Sequence, residues 1–369
     1  MTSTIKSIKA RQVLDSRGNP TVEAEVLTEK GSFFGIVPSG ASTGANEALE
    51  MRDGGKAFSG KAVLNAVGNV NKQIAGKIVG MDCTQQGEID KAMIELDGTK
   101  NKEKLGANAI LAVSMAVCRA GATSKGTPLF KYIAELSGNK GEVLPTPQMN
   151  VMNGGKHAGL DEDIQEQMIV AVGAKTYNQA VQASVETYHT LKGILKKKFG
   201  AQATLIGDEG GFVPKVGSVQ ERLDLMNQAI EEAGYKGIMS LAIDSASSEF
   251  FEGGKYKLYG KEYSPGELVD FYADLVSTYK GIVSLEDGMA EEDWEGWKAL
   301  TEKIGSKVQI VGDDLLVTNP KRIAKGIEEK SCNALLLKIN QIGSISESIE
   351  AAKVSKEAGW GIVVSHRSG

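Results

Sequence analysis

GIMSLAID at 237–244, GIVSLED at 281–287, VQIVGDD at 308–314, NALLLKIN at 333–340 and GIVVSH at 361–366 are five short apolar runs. Each carries one chemically active residue at or near its end: Asp244, Glu286, Asp313, Lys338 and His366. Runs this rich in branched aliphatics predict strands buried on both faces of a parallel sheet. Between them lie stretches of helical spacing, among them SPGELVDFYADLVSTYK (264–280) and SISESIEAAKVSKEAG (344–359), so strand and helix alternate at a repeat of roughly 25 to 40 residues. This is the punctuation of a β/α barrel, in which strand ends converge on one face and side chains from different strands meet around one ligand. A single strand-end acid more often caps the next helix or faces water. Five active residues in successive register argue against that reading for the set.

Upstream, QMNVMNGG (148–155), QEQMIVAV (165–172), a long helix around 175–198, TLIGDEGG (204–211) and a helix after Ser218 lead into the repeating region. Before them, SGNKGEVLPTPQ (137–148) shifts in composition and carries two of the chain's eight prolines, which reads as a connection between domains. The boundary is placed near residue 143, giving a first domain over 1–142 and a second over 143–369. In the first, IKSIKARQVLD (5–15) and TVEAEVLTEKGSFFGIV (21–37) alternate as strands do, with turn signals at Gly18-Asn19-Pro20 and Lys30-Gly31, which predicts an antiparallel meander. Helices are expected over 60–78, 85–95 and 108–124, the last buried, with Met115 and Cys118 in the core. The fold class is α/β, a β/α barrel preceded by a smaller α+β domain.

With 369 residues, 41% of them hydrophobic and 24% charged, the chain can build a substantial core for both parts. Net charge is −5, and Lys196–Lys198 is the one notable basic run, so no nucleic-acid footprint is expected. Cys83, Cys118 and Cys332 are far apart and lack C-x-x-C spacing, which argues against disulfides or a zinc site and for a reducing, cytoplasmic setting. The N-terminus lacks a continuous apolar segment, and AILAVSMAV (109–117) is far short of the roughly 20 residues that span a membrane, so no membrane insertion is expected.

The strand-end residues suggest a chemistry. Asp244, Glu286 and Asp313 offer hard oxygen ligands suited to Mg²⁺, with Mn²⁺ as an alternative. Lys338, next in strand order, can serve as a general base when a cation beside it eases loss of its proton; a structural ion pair with the carboxylates is the other reading. Glu209, set among glycines in LIGDEGGF, can be the opposing acid. Base, acid and metal together suit proton abstraction alpha to a carboxylate, and elimination if a leaving group sits at the beta carbon. SGASTG (39–44) has the small and hydroxylated residues of a mobile lid, although alone it reads as an ordinary loop. His366-Arg367-Ser368 offers an imidazole, a guanidinium suited to phosphate and a hydroxyl. GKAFSGK (55–61) matches phosphate-loop spacing but continues with Ala62 and follows no apolar strand, so it is set aside. His189 in the long helix reads as a packing histidine.

DSRGNPTVE, SGASTGANEALEMRDG, LGANAILAVSMAV, NGGKHAG, GDEGGFVP, SLEDGMAEEDW, VGDDLLVTNP, LLLKINQIGS and VVSHRSG, in this order, resemble the enolase family, the phosphopyruvate hydratases of glycolysis and gluconeogenesis. The resemblance implies a lyase that reversibly dehydrates 2-phosphoglycerate to phosphoenolpyruvate. It also implies an N-terminal α+β domain and a barrel whose first strands include antiparallel pairing. By motif position, Asp244, Glu286 and Asp313 would bind a first Mg²⁺, and Ser39 would help bind a second that arrives with substrate. Lys338 would take the C2 proton and Glu209 would protonate the departing hydroxyl, with Glu166 beside it. His157, Gln165, Glu166, Lys338, Arg367 and Ser368 match substrate-contacting positions, and His366 belongs to the same pocket. A homodimer is implied, with the DSRGNP segment near its interface.

The sequence departs from the family pattern at two places. The family usually continues for several dozen residues past SHRSG, with an eighth strand and a further active-site lysine, so the barrel is expected to be incomplete at its C-terminal side and the chain weakly active or inactive. Gln167 also stands where an aromatic residue is common. Two other functions are weighed: a racemase or cycloisomerase of the same superfamily, against which the HRS and SGASTG motifs argue, and a binding or structural protein without turnover, against which the acid and base positions argue.

Overall fold

The computed structural model describes residues 3–40, 44–207 and 209–368. By contact density the chain divides into two units. One comprises Met1–Glu142, Leu316–Ala324 and Leu335–Gly369, and the other Val143–Leu315 and Lys325–Ala334.

In the first unit, β1 (Ser7–Leu14), β2 (Pro20–Thr28) and β3 (Gly31–Ile36) form the expected antiparallel meander, in register Ser7↔Leu27 and Thr28↔Gly31. Its turns fall where glycine permits positive φ, at Gly18 (77°) and Gly31 (120°). The helix Ala107–Lys125 packs directly on β3. At Gly35 an added Cβ would lie 2.2 Å from the Ala112 carbonyl oxygen, so only glycine allows this approach. That helix is buried almost all round; Cys118 is interior, and Met115 is half-buried against the core. Further helical segments run over Leu64–Asn69, Val70–Ile74 (one π turn), Ala75–Ile78 and Gln86–Asp97. The helix Leu129–Ser137, not foreseen in the sequence, follows Pro128 and buries Tyr132. Residues 139–147 are irregular, as SGNKGEVLPTPQ suggested.

In the second unit, β4 (Gln148–Asn153), β5 (Glu166–Val170), β6 (Ser240–Asp244), β10 (Ile282–Glu286) and β11 (Gln309–Gly312) are neighbours in the order β11-β10-β6-β5-β4. A small separate sheet holds β7 (Phe251–Glu252), β8 (Lys255–Leu258) and β9 (Lys261–Tyr263). The pairs β6–β10 and β10–β11 are parallel, whereas β4–β5 and β5–β6 are antiparallel, the mixed start that the family resemblance implies. Helices Tyr177–Phe199, Val219–Glu232, Pro265–Thr278 and Trp294–Ile304 follow. A hydroxyl stands at several of their N-caps: Thr176, Ser218 and Ser264 each accept a backbone N–H of the first turn, and Ser264 with Glu267 completes a capping box ahead of Pro265. Lys196–Lys198 lie exposed in the last turn of the long helix, where the helix dipole favours positive charge.

The strands β12 (Ala334–Leu337) and β13 (Gly361–Val364) correspond to the last two apolar runs. β13 differs from its expectation: it lies at a sheet edge, only partly buried, with Val364 66% exposed. His189 also differs. It stands exposed, edge-on to Tyr188, and fills no core position. Gly55–Lys61 is a turn containing the 3-10 segment Ala57–Gly60, with no strand leading into it. The three cysteines are buried and free. Among the described residues, no helix is long and apolar enough to cross a membrane.

Candidate active site

The antiparallel placement of β5 builds the carboxylate rim. A parallel strand delivers its last residue to the rim, and an antiparallel neighbour delivers its first. Glu166 opens β5, and it pairs with Asp244, which closes β6; Asp244 in turn pairs with Glu286, which closes β10. Residues directly opposite each other share a face of a sheet, so these three carboxylates line one row. Glu286 also pairs with Val311 on β11, and Asp313 follows two residues later, the spacing that returns a side chain to the same face. Glu166, Asp244, Glu286 and Asp313 are all buried. Asp244 accepts the Ala246 N–H at 2.9 Å, so it also does what a strand-end acid ordinarily does for the turn that follows.

The loop before β5 completes this side. His157, in the short helical turn Gly155–Ala158, places Nδ1 3.3 Å from Glu166 Oε1, and Gln165 is buried next to it in sequence. Glu209 joins them: ligand atoms of His157, Glu166 and Glu209 all lie within 4.8 Å of one another. Asn150 on β4 donates Nδ2–H to Glu209 Oε2 at 3.3 Å. Gln167, fully buried, donates to the Ile164 carbonyl at 3.2 Å. Asp208, beside Glu209 in GDEGG, lies outside the described residues, as do Ala41–Thr43 of SGASTG.

Burial, reinforced by the negative charge of Asp244, Glu209 and Glu286, raises the Glu166 carboxyl well above the usual range. A second crowded group is made by Asp287, Asp313 and Asp314, whose carboxylate oxygens also fall within 4.8 Å of one another. Burial first, then Asp314, Asp313 and Asp244, raises the Asp287 carboxyl well above the usual range. Carboxylates held this close favour either protons or a cation among them. The donors Asp244, Glu286 and Asp313 are hard oxygens without sulfur, which fits Mg²⁺ or Mn²⁺.

The remaining predicted residues belong to the other unit. Lys338 immediately follows β12; its N–H donates to Thr318 Oγ1 at 2.9 Å, and that hydroxyl bonds the Leu336 carbonyl at 3.3 Å and Gln341 Oε1 at 3.1 Å. Ser365 N–H donates to the Leu337 carbonyl, which ties the segment carrying His366, Arg367 and Ser368 to the strand before Lys338. Ser39 and Ser368 form an antiparallel bridge, and Ser368 Oγ donates to the Ser39 carbonyl at 2.8 Å. Ser39 Oγ donates to Glu50 Oε2 at 3.1 Å, and Arg17 donates to the carbonyls of Ser39 and Gly40. His366 is exposed. Sequence reasoning gave no role to Asn150, Asp287 or Thr318. Asp287 had a visible sign, a second acid directly after a strand-end acid.

Two family models match the chain: the enolase N-terminal domain over residues 5–133 and the enolase C-terminal TIM barrel domain over 141–369. Curated proteins named enolase are similar throughout. The Thermococcus kodakarensis protein is 57% identical over 369 residues, covering 99% of this chain and 85% of its own length. The Pyrococcus furiosus protein is 56% identical over 369 residues, with the same two coverages. The Solanum lycopersicum protein is 55% identical over 385 residues, covering 100% of this chain and 86% of its own length.

Proposed function

The chain belongs to the enolase family, and from that premise we propose that it is a phosphopyruvate hydratase, a lyase that reversibly dehydrates 2-phosphoglycerate to phosphoenolpyruvate with Mg²⁺. What carries this reading is the row of Glu166, Asp244 and Glu286 in direct cross-strand register, with Asp313 two residues past Val311. In this proposal, Asp244, Glu286 and Asp313 would hold one Mg²⁺, and Ser39 would help hold a second together with the substrate. Bound magnesium supplies positive charge to the substrate carboxylate, where negative charge builds as C2 loses its proton.

The chain's own residues do the rest. Lys338 takes the proton from C2, and the electron pair of that bond spreads into the carboxylate. Glu209, with Glu166 beside it, gives a proton to the C3 hydroxyl. The C3–O bond then breaks, water departs, and the electron pair closes the C2–C3 double bond. His157, Gln165, Glu166, Arg367 and Ser368 hold the substrate, Arg367 presenting a planar fork suited to phosphate, and His366 lines the same pocket. Residues 1–142 form the domain that carries the lid loop, and 143–369 form the catalytic barrel. The protein works as a homodimer in the cytoplasm.

The test follows enol-pyruvate absorbance and exchange of the C2 proton with solvent, using the 369-residue chain and a form extended to the length of its relatives. Lys338→Ala is expected to abolish exchange while leaving Mn²⁺ binding largely intact. Exchange that survives Lys338→Ala removes Lys338 from the base role. No turnover by either form overturns the proposed reaction.

A further inference from the structure

We propose that Asp287 is a positioning residue that sets the carboxylate of Asp313 for the metal. This rests on the reading of Asp244, Glu286 and Asp313 as metal ligands. Asp287 directly follows Glu286, one residue past the end of β10. It is 4% exposed, and a carboxyl so deeply buried needs hydrogen-bond partners. It finds them in two successive backbone amides: Oδ1 accepts the Asp313 N–H and Oδ2 the Asp314 N–H, each at 2.9 Å. Two bonds from adjacent amides to the two oxygens of one carboxylate fix both the position and the tilt of the turn that presents Asp313.

The backbone around Asp287 extends this control. Its N–H donates to the Val311 carbonyl at 3.1 Å and its carbonyl accepts the Ser247 N–H at 3.1 Å, while the Glu286 carbonyl accepts the Ser245 N–H at 3.0 Å. Residues 286 and 287 thereby join the exits of β6, β10 and β11, the three strands whose ends carry Asp244, Glu286 and Asp313. Asp287 takes a φ of +42°, a left-handed conformation that aspartate and asparagine visit more readily than most residues. Asp287→Asn therefore keeps the shape and the backbone preference. It replaces one acceptor with an NH₂ group that faces an N–H, and one of the two amides loses its bond.

Mn²⁺ binding, read by electron paramagnetic resonance on the 369-residue chain, tests this. Wild type, Asp287→Asn, Asp313→Asn and the double variant are compared, with circular dichroism confirming that each is folded. Asp287→Asn is expected to weaken Mn²⁺ binding about 10- to 100-fold, the usual effect of removing a group that orients a metal ligand. The double variant is expected to bind no more weakly than Asp313→Asn, because Asp287 acts through Asp313. Wild-type affinity in Asp287→Asn overturns the proposal, and so does an effect that adds in full to that of Asp313→Asn, which would mark Asp287 as acting independently. If Asp287→Asn does not fold, Asp287→Ser replaces it in the same cycle, where weakened, non-additive binding supports the proposal and wild-type or fully additive binding overturns it. A folded wild type that binds no Mn²⁺ sinks the metal reading itself, whereas wild-type binding with an unaffected Asp287→Asn sinks this proposal alone.

Discussion

Asp163→Leu removes the partner of an arginine that lies wholly inside the fold. Arg222, on the helix Val219–Glu232, is 0% exposed; Nη1 donates to Asp163 Oδ2 at 2.9 Å, and Nη2 bonds Asp163 Oδ1 and, at 3.1 Å, the Tyr259 hydroxyl. That hydroxyl accepts the Val219 N–H at 3.0 Å, so the clamp also fastens the start of the helix. Losing one partner of such a pair leaves an uncompensated buried charge, a cost of about 3–5 kcal/mol. Leucine returns about 1.5–3 kcal/mol at most through its own burial, so the charge term wins. Asp163→Leu combined with Arg222→Met removes the stranded charge as well, and should recover to within about 1 kcal/mol of wild type, because hydrophobic replacement of a whole buried pair is often neutral.

The assay is urea unfolding followed by tryptophan fluorescence, with Trp297 fully buried in the same unit, comparing midpoints at constant slope. A single-variant cost below about 1 kcal/mol, or a double variant as unstable as the single, refutes the reasoning. The consequence reaches the site, because Asp163 lies between His157 and Gln165 in a tightly packed loop. Gly154 N–H donates to the Gln165 carbonyl at 2.9 Å, and a Cβ at Gly154 would meet the Ile164 carbonyl at 2.4 Å and Asp163 Oδ2 at 2.5 Å. Asp163→Leu should therefore weaken substrate binding as well as stability.

Thr318→Val keeps the side-chain shape but leaves the Lys338 N–H without its acceptor, at a cost of about 1–3 kcal/mol. The expected outcome is a lower kcat with Mn²⁺ affinity unchanged; a variant with wild-type kcat would separate Thr318 from the placement of Lys338. Asp90 is a buried carboxyl whose proton affinity burial raises, against the hydrogen bonds it accepts from Ser346 and Gln86. Because its folded-state pKa is raised, the folded state holds more protons, so stability should fall as pH rises from about 3.9 through that raised value. Asp90→Asn should flatten that slope in urea midpoints measured across the window, and an unchanged slope would remove Asp90 as its source.

What was legible in the sequence is what a side chain does by itself. Branched aliphatics marked β6, β10, β11 and β12, because the burial preference of those residues acts locally. Strand direction was less accessible. Nothing in QEQMIVAV says that Glu166 leads its strand into the same rim that Asp244 and Glu286 reach at the ends of theirs, and only the family resemblance implied antiparallel pairing. β13 reads as a core strand because its composition matches the others, yet burial depends on neighbours that composition does not specify. The supports were the least visible. Asp287 acts on amides 26 and 27 residues away, and Arg222 on a carboxylate 59 residues away. A backbone amide is present at almost every position, so no residue type announces it as a partner, and an arginine in an amphipathic helix reads as a solvated one. Substitutions at Asp287 and Arg222 should therefore be tolerated far less well than their sequence surroundings suggest, because each holds a turn or loop on which proposed site residues depend.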